Sequence, residues 1–191
     1  MNELKTLLQG LTSISDEQFE DSRNNFHEVN LKKGELLLAK GKVCKQMSFV
    51  KRGSLRTFYF NNKGEEITHC FRAKNTFISS FKSFILQEPS LLSIGALEET
   101  ELIVINYDKL QKLYSESLVW QNIGRLLTER AYIEMEDYAS VLNNESAKEK
   151  YLRLLNEHGE ILQKASVKHI ATYLGVTRRT LSRIRQETSK Y

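Results

Sequence analysis

Proline is nearly missing: Pro89, in QEPS, is the only one in 191 residues. Long helices can therefore run without that breaker, and the lone Pro marks a loop before the last strand pair. Cysteine is scarce too. Cys44 and Cys70 stand 26 residues apart, outside any CxxC pair. Two thiols are too few for a Cys-only zinc site or a four-thiolate cluster, and reduced thiols are the default. The four histidines (His27, His69, His158, His169) show no HxH or HExxH spacing. No P-loop and no Ser/His/Asp grouping is present, so the chain reads as a non-enzyme with no catalytic residues and no metal site. No apolar run reaches the roughly 18 residues that a membrane span needs. The opening MNELKTLLQGLTSISDEQF lacks the apolar core and cleavage site of a signal peptide. A cytoplasmic protein with no membrane partner is expected.

What is present is unevenly placed. Residues 146–191 hold ten Lys/Arg against four Asp/Glu, whereas residues 1–145 hold eighteen against twenty. The net charge of +4 thus belongs to the C-terminal quarter, which suits a polyanionic partner there. A solvated basic tail would give the same balance, so charge alone does not decide.

Residues 3–22 read as helical, with Ser15 before Asp16-Glu17-Gln18 as a start signal. From Phe26, short β-branched and aromatic runs alternate with Gly34, Gly41, Gly53 and Gly64: ELLLAK, QMSFVKRG, SLRTFYF, EITHCF. NNKGEE is a hairpin-type turn, and SLLSIGALEETELIVI adds two strands. Such spacing suggests an all-β sandwich or barrel. From Tyr107 to Leu142 the only Gly is Gly124. Val119, Ile123, Leu127, Ala131, Met135, Tyr138 and Leu142 recur every three or four residues, one apolar stripe on a long helix, with Leu126 and Ile133 at its side. A stripe this wide can face two things, the chain's own β-domain and a second copy, whereas packing wholly inside one chain is the plainer alternative. A long helix between two compact parts has little of its own chain to cover it, which favours a homodimer. Asn143–Glu145 reads as a hinge, Ser146 as the cap of AKEKYLRLLNEH, and Gly159 as an interruption before an extended ILQKAS.

The end of the chain carries the sharpest signal. In VKHIATYLGVTRRTLSRIRQ, Ile170, Ala171, Leu174, Gly175, Val176, Leu181 and Ile184 occupy the seven slots of a helix-turn-helix. Ala171 is small where the second helix crosses, and Gly175 supplies the positive φ of a sharp turn. Thr177 caps the second helix. Its free side then presents Arg178, Arg179, Ser182, Arg183 and Gln186, a set suited to base edges in the major groove. Lys168, Thr177 and Thr180 suit phosphate contacts. An αα-hairpin with merely solvated arginines is the plainer alternative.

On these residues the chain resembles the Crp/Fnr family of transcription regulators. KKGELLLAKGK and FVKRGSLRTFYFNNKGEE are similar to that family's β-roll, the helix near 117–142 to its dimer helix, and LGVTRRTLSRIR to its recognition helix. LSRIR is similar to Bacteroidetes members in particular. The resemblance implies an α+β fold: an N-terminal double-stranded β-helix of the cyclic-nucleotide-binding jelly-roll kind, a long dimerisation helix, and a C-terminal winged helix-turn-helix. It implies domains at 1–116, 117–142 and 143–191. The implied partners are double-stranded DNA, a second copy and RNA polymerase. Arg178, Arg179, Ser182 and Arg183 match DNA-contacting positions, although most relatives carry glutamate where Arg179 stands. The wing strand after the recognition helix looks absent.

Cyclic-nucleotide-binding relatives hold the phosphate with Gly-Glu-Leu and a later Arg. Here Ser79, Ser80 and Phe81 stand at the first place, and Ser90 and Leu91 at the second. Lys82 is the nearby cation. Cyclic AMP and cyclic GMP are therefore not expected as ligands. An unknown small-molecule effector could use Phe77, Ser79, Ser80, Phe81, Lys82, Ser90 and Leu91, with Phe84 and Ile94 beside them, although ordinary core explains these apolar residues equally well. The alternative to a DNA-binding regulator is a small-molecule sensor module, for a cyclic nucleotide or another ligand, whose DNA binding is secondary or lost. A metalloenzyme on a cupin-type roll would need clustered His and carboxylates that are not there.

Overall fold

The structure, a computed structural model, describes residues 1–188, without the side chains of 141–143. Helices α1 (Asn2–Leu11) and α2 (Asp16–Ser22) open the chain. Ser15 caps α2 reciprocally: Ser15 Oγ accepts from the Gln18 amide at 3.1 Å, and Gln18 Oε1 accepts from the Ser15 amide at 2.9 Å. Eight strands follow: β1 (Phe26–Leu31), β2 (Leu36–Leu38), β3 (Gln46–Arg52), β4 (Ser54–Phe60), β5 (Glu66–Ala73), β6 (Phe77–Ile78), β7 (Ser93–Ala96) and β8 (Thr100–Asn106). A short helix, α3 (Phe81–Leu86), stands between β6 and β7. All pairings are antiparallel, in two four-stranded sheets ordered β1-β8-β3-β6 and β2-β7-β4-β5.

The chain changes sheets at corners, and Gly53 makes one of them. It is the single residue between β3 in the first sheet and β4 in the second. Its φ is +89°, and a Cβ there would lie 2.6 Å from the Glu99 carbonyl oxygen and 2.8 Å from Thr100 Cα. Glu99 belongs to the return corner from β7 to β8. Ser54 Oγ donates to Glu98 at 2.8 Å, and the Leu97 amide donates to the Ser54 carbonyl at 2.9 Å, which ties the two corners together.

Each sheet is covered on its outer face by helices. In β8, Leu102 to Ile105 are all buried, because one side of the strand faces the roll interior and the other faces helices. A strand buried on both sides carries a continuous apolar run rather than alternation. Phe26, Ile105 and Met47 lie in register across the first sheet. Over them pack α1, α4 (Tyr107–Glu116) and the start of α5 (Leu118–Asn144). Phe26 and Trp120 meet at 5.7 Å between ring centroids. The 27 residues of α5 make a rod about 40 Å long. Its far half passes β5, where Arg72 pairs with Glu134 at 2.8 Å and His69 meets the Tyr138 ring at 5.3 Å.

The second sheet carries the C-terminal helices α6 (Ala147–Lys164), α7 (Val167–Leu174) and α8 (Arg178–Thr188). Ser146 caps α6 with a capping box, leaving only Glu145 and Ser146 between α5 and α6. Of the expected hinge, Asn144 ends α5 and Glu145 accepts from Arg153 at 3.2 Å, while the Asn143 side chain lies outside the described residues. ILQKAS, expected to be extended, is instead helical through Lys164, with a kink at His158 (φ −144°, ψ 48°). Tyr151, Leu154 and Ile161 keep one buried side across the kink, so core burial overrides the interruption near Gly159. No strand follows α8 among the described residues; residues 189–191, where the chain's last stretch was read, lie outside them.

Gly53→Ala is expected to lose more stability in urea titrations than Gly64→Ala. Both adopt positive φ, but no atom lies within 4 Å of a Cβ at Gly64. The second change should therefore show only the backbone penalty, about 1–3 kcal/mol.

Candidate functional site

The basic C-terminal unit is built on caps and one sharp turn. Ser166 Oγ accepts from the His169 amide at 3.2 Å and starts α7. Gly175, at φ 69° and ψ 28°, ends it, and the Val176 amide returns to the Ala171 carbonyl at 2.9 Å. Thr177 Oγ1 accepts from the Thr180 amide at 3.1 Å and starts α8. Ile170, Ala171, Leu174, Leu181 and Ile184 are buried in one core, with Val176 packed against it. Because these residues occupy one side of α8, Arg178, Arg179, Ser182, Arg183 and Gln186 are left exposed. Arg183 is 73% exposed and reaches Glu187 at 3.9 Å. Lys168 is exposed on α7. The Thr177 and Thr180 hydroxyls lie 3.0 Å apart and bond to each other, so a phosphate contact from either would compete with that bond.

This unit does not hang free of the roll. Phe71, Ala73 and Leu97 share its core. The Thr68 amide of β5 donates to Thr172 Oγ1 at 3.2 Å, and the Phe71 and Tyr173 rings meet at 5.1 Å. Lys164 pairs with Glu98 at 3.1 Å. Arg56, buried on β4, pairs with Glu66 and lies 3.9 Å over the Phe58 ring. These roll residues seat the C-terminal helices, and sequence reading missed them. Alternation could place them outward on strands, but nothing local says that helices from the far end of the chain would cover them.

The apolar stripe of α5 divides between two surroundings. Ile123 is 2% exposed in the chain's own core, with Val119 and Leu127 packed against it. Tyr138 lies on His69, and burial pushes its phenol up to about 12. Ala131 is half-buried, and Met135 is exposed together with Tyr132 and Ile133. The stripe thus faces the chain's own roll at Ile123 and solvent at Met135. The sheet's outer face needed a cover, and the first turns of α5 supply it. Leu142 lies among residues whose side chains are not described.

The residues expected to line an effector pocket scatter. Ser80 and Ser90 are buried and share a hydroxyl–hydroxyl bond of 2.8 Å. Ser90 also donates to the Leu92 carbonyl at 2.8 Å. Lys82 and Leu91 point to solvent. Ser79 lines a cavity at the roll with Leu38, Ile78 and Ile94, whereas Phe77 and Phe81 line a different one outside the first sheet. The cations beside the roll cavity are Lys42 and Lys45, not Lys82. Cys44, at that cavity, and Cys70 are free thiols. Among the described residues no three His, Cys, Asp or Glu gather as a metal site, and no helix is long and apolar enough to cross a membrane.

The family model described as "Cyclic nucleotide-binding domain" matches residues 28–117, the stretch from β1 to the end of α4. Over most of its length the chain has the fold of solved regulators. FixK2 from Bradyrhizobium japonicum is similar with a TM-score of 0.74 at 18% identity, over 86% of this chain and 85% of that one. A putative Crp/Fnr-family transcriptional regulator from Eubacterium rectale gives 0.69 at 21%, over 93% and 84%. The c-di-GMP-responsive global regulator CLP of Xanthomonas campestris gives 0.68 at 18%, over 92% of each chain. At 18–21% identity these likenesses show a shared fold. No curated protein matches its sequence.

The contact between roll and α7 should depend on pH. Burial, then the Arg56 guanidinium and Lys168, pull His169 down to about 4, with Glu66 opposing them. A released His169 titrates near 6.5. The released state therefore binds more protons between those values, and stability falls as pH drops from 6.5 toward 4. The melting temperature of the wild type is expected to fall more across that window than that of His169→Gln.

Proposed function

We propose that this chain is a sequence-specific DNA-binding transcription regulator of the Crp/Fnr type, acting as a homodimer. The observation that carries this reading is the division of α8. Leu181 and Ile184 are buried, while Arg178, Arg179, Ser182 and Arg183 are exposed together beyond the Gly175 turn. The helix-turn-helix inserts α8 into the major groove, where guanidinium groups grip guanine edges and Lys168 holds a phosphate. Tyr132, Ile133 and Met135, exposed on α5, are the seat of the second copy. A two-fold pair then reads two half-sites about 34 Å apart.

The roll is the signal-receiving part, and it works without cyclic AMP or cyclic GMP. A cyclic phosphate taken out of water needs a cation or several amides. At the corresponding place Ser80 and Ser90 bond to each other instead. Arg179, a donor without acceptor capacity, suits a different base from the one that glutamate reads. The regulator's half-site therefore departs from the usual one of its relatives.

Selection of bound fragments from genomic DNA, followed by gel retardation, tests the reading. A shared, roughly palindromic sequence is expected. Arg179→Ala and Arg183→Ala should each cost about 1–3 kcal/mol and relax the preference at one position. Lys168→Ala should weaken all sequences alike and reduce the salt slope by about one. Absence of retained fragments at low salt would leave only the sensor-module alternative.

A further inference from the structure

We propose that the cavity outside the first sheet, enclosed by α1, α4 and α5, binds a small flat apolar molecule. Its ligand class is about two fused rings carrying one hydrogen-bond acceptor. The space is about 260 Å³. An apolar cavity of about 150 Å³ stays dry and admits benzene, so a two-ring molecule fits here. Phe26, Met47, Phe77 and Ile105 form the floor, and Trp120 and Leu127 form part of the wall.

Two details suit this wall to a ligand rather than to leftover space. Trp120 is 4% exposed, yet its indole Nε1 finds no acceptor among the described residues. A buried N–H without a partner costs free energy, and a carbonyl or ether oxygen on the occupant would satisfy it. Gly124 is the second. A Cβ there would stand 2.6 Å from Tyr114 Oη and 2.7 Å from Tyr114 Cζ. The absent side chain lets the Tyr114 ring lie against α5 at the cavity's edge. Any larger residue would displace that ring.

The site lies apart from the roll cavity that holds Ser79, and it touches α5 directly. Its bearing on DNA affinity rests on the function proposed above. An occupant shifts that affinity only by favouring one arrangement of α5 and sheet over another. Binding itself is measured without DNA, so failure of the DNA-binding reading would leave this site standing, and the reverse holds too.

The test uses the full-length protein and the probe 6-propionyl-2-(dimethylamino)naphthalene, a flat two-ring ketone. Trp120 is the only tryptophan, so energy transfer from it reports probe bound within its range, and the variants that alter the wall assign that probe to this cavity. Saturable transfer at one probe per chain is expected. Gly124→Ala, which moves Tyr114, and Leu127→Tyr, which fills the space, should each weaken the probe at least about ten-fold, near 1.4 kcal/mol. In Trp120→Phe, followed by the probe's own emission, the ketone should bind about five-fold more weakly, the usual net effect of one hydrogen bond. The ketone-free 2-(dimethylamino)naphthalene should be unaffected by that change. If both filling variants lose their wild-type melting behaviour, this selectivity in Trp120→Phe decides. The proposal is overturned by absence of saturable transfer. It is also overturned by unchanged affinity in both folded filling variants, or by equal loss of ketone and ketone-free probe. Binding only to dilute monomer, with loss on dimerisation in sedimentation runs, would assign the cavity to a second copy and overturn it as well.

Discussion

The packing of the C-terminal helices on the outer face of the second sheet is the contact on which the functional geometry depends. Phe71, Ala73 and Leu97 come from the roll region, and Tyr151, Leu154, Ile161, Ile170, Leu174, Leu181 and Ile184 come from the helices. Fully burying a side chain of this size stabilises by about 1.5–3 kcal/mol. The shared core therefore fixes which side of α8 faces inward, and by exclusion which side presents arginine to solvent. The polar contacts at its edge, between Thr68 and Thr172 and between Lys164 and Glu98, add direction more than strength.

That arrangement also makes the roll a link between two helical layers. Over one sheet lie α1, α4 and the first turns of α5; over the other lie α6 to α8. The helix α5 runs from the first layer to β5 of the second sheet, where Glu134 and Tyr138 meet Arg72 and His69. A change on the first face can reach the C-terminal unit along this one rod. Only Glu145 and Ser146 separate it from α6, so little slack is available to absorb a tilt.

Much of this was legible in the residues. Gly175 with its flanking Ala171 and Val176 announces the turn, because few other residues accept φ near 69°. Ser15, Ser146 and Ser166 announce helix starts through local hydrogen bonds that need no distant partner. What local pattern could not disclose is which apolar face meets which. Ile123 and Met135 belong to one periodic stripe, yet the first is sealed against the roll and the second is exposed. Arg56 lies on a strand and is buried, paired with Glu66, and its charge acts on His169 of α7, more than a hundred positions later. The extended reading of ILQKAS failed for the same reason: Ile161 has a buried seat that the helix must reach.

One amide reports the central contact most directly. The Thr68 N–H has Thr172 Oγ1 as its acceptor, so its hydrogen exchange measures docking of α7 on the roll. Slow exchange in the wild type, and exchange accelerated in Thr172→Ala while neighbouring β5 amides paired to β4 stay protected, is the expected result. Exchange of the Thr68 amide at the rate of an open loop in the wild-type protein would contradict the account.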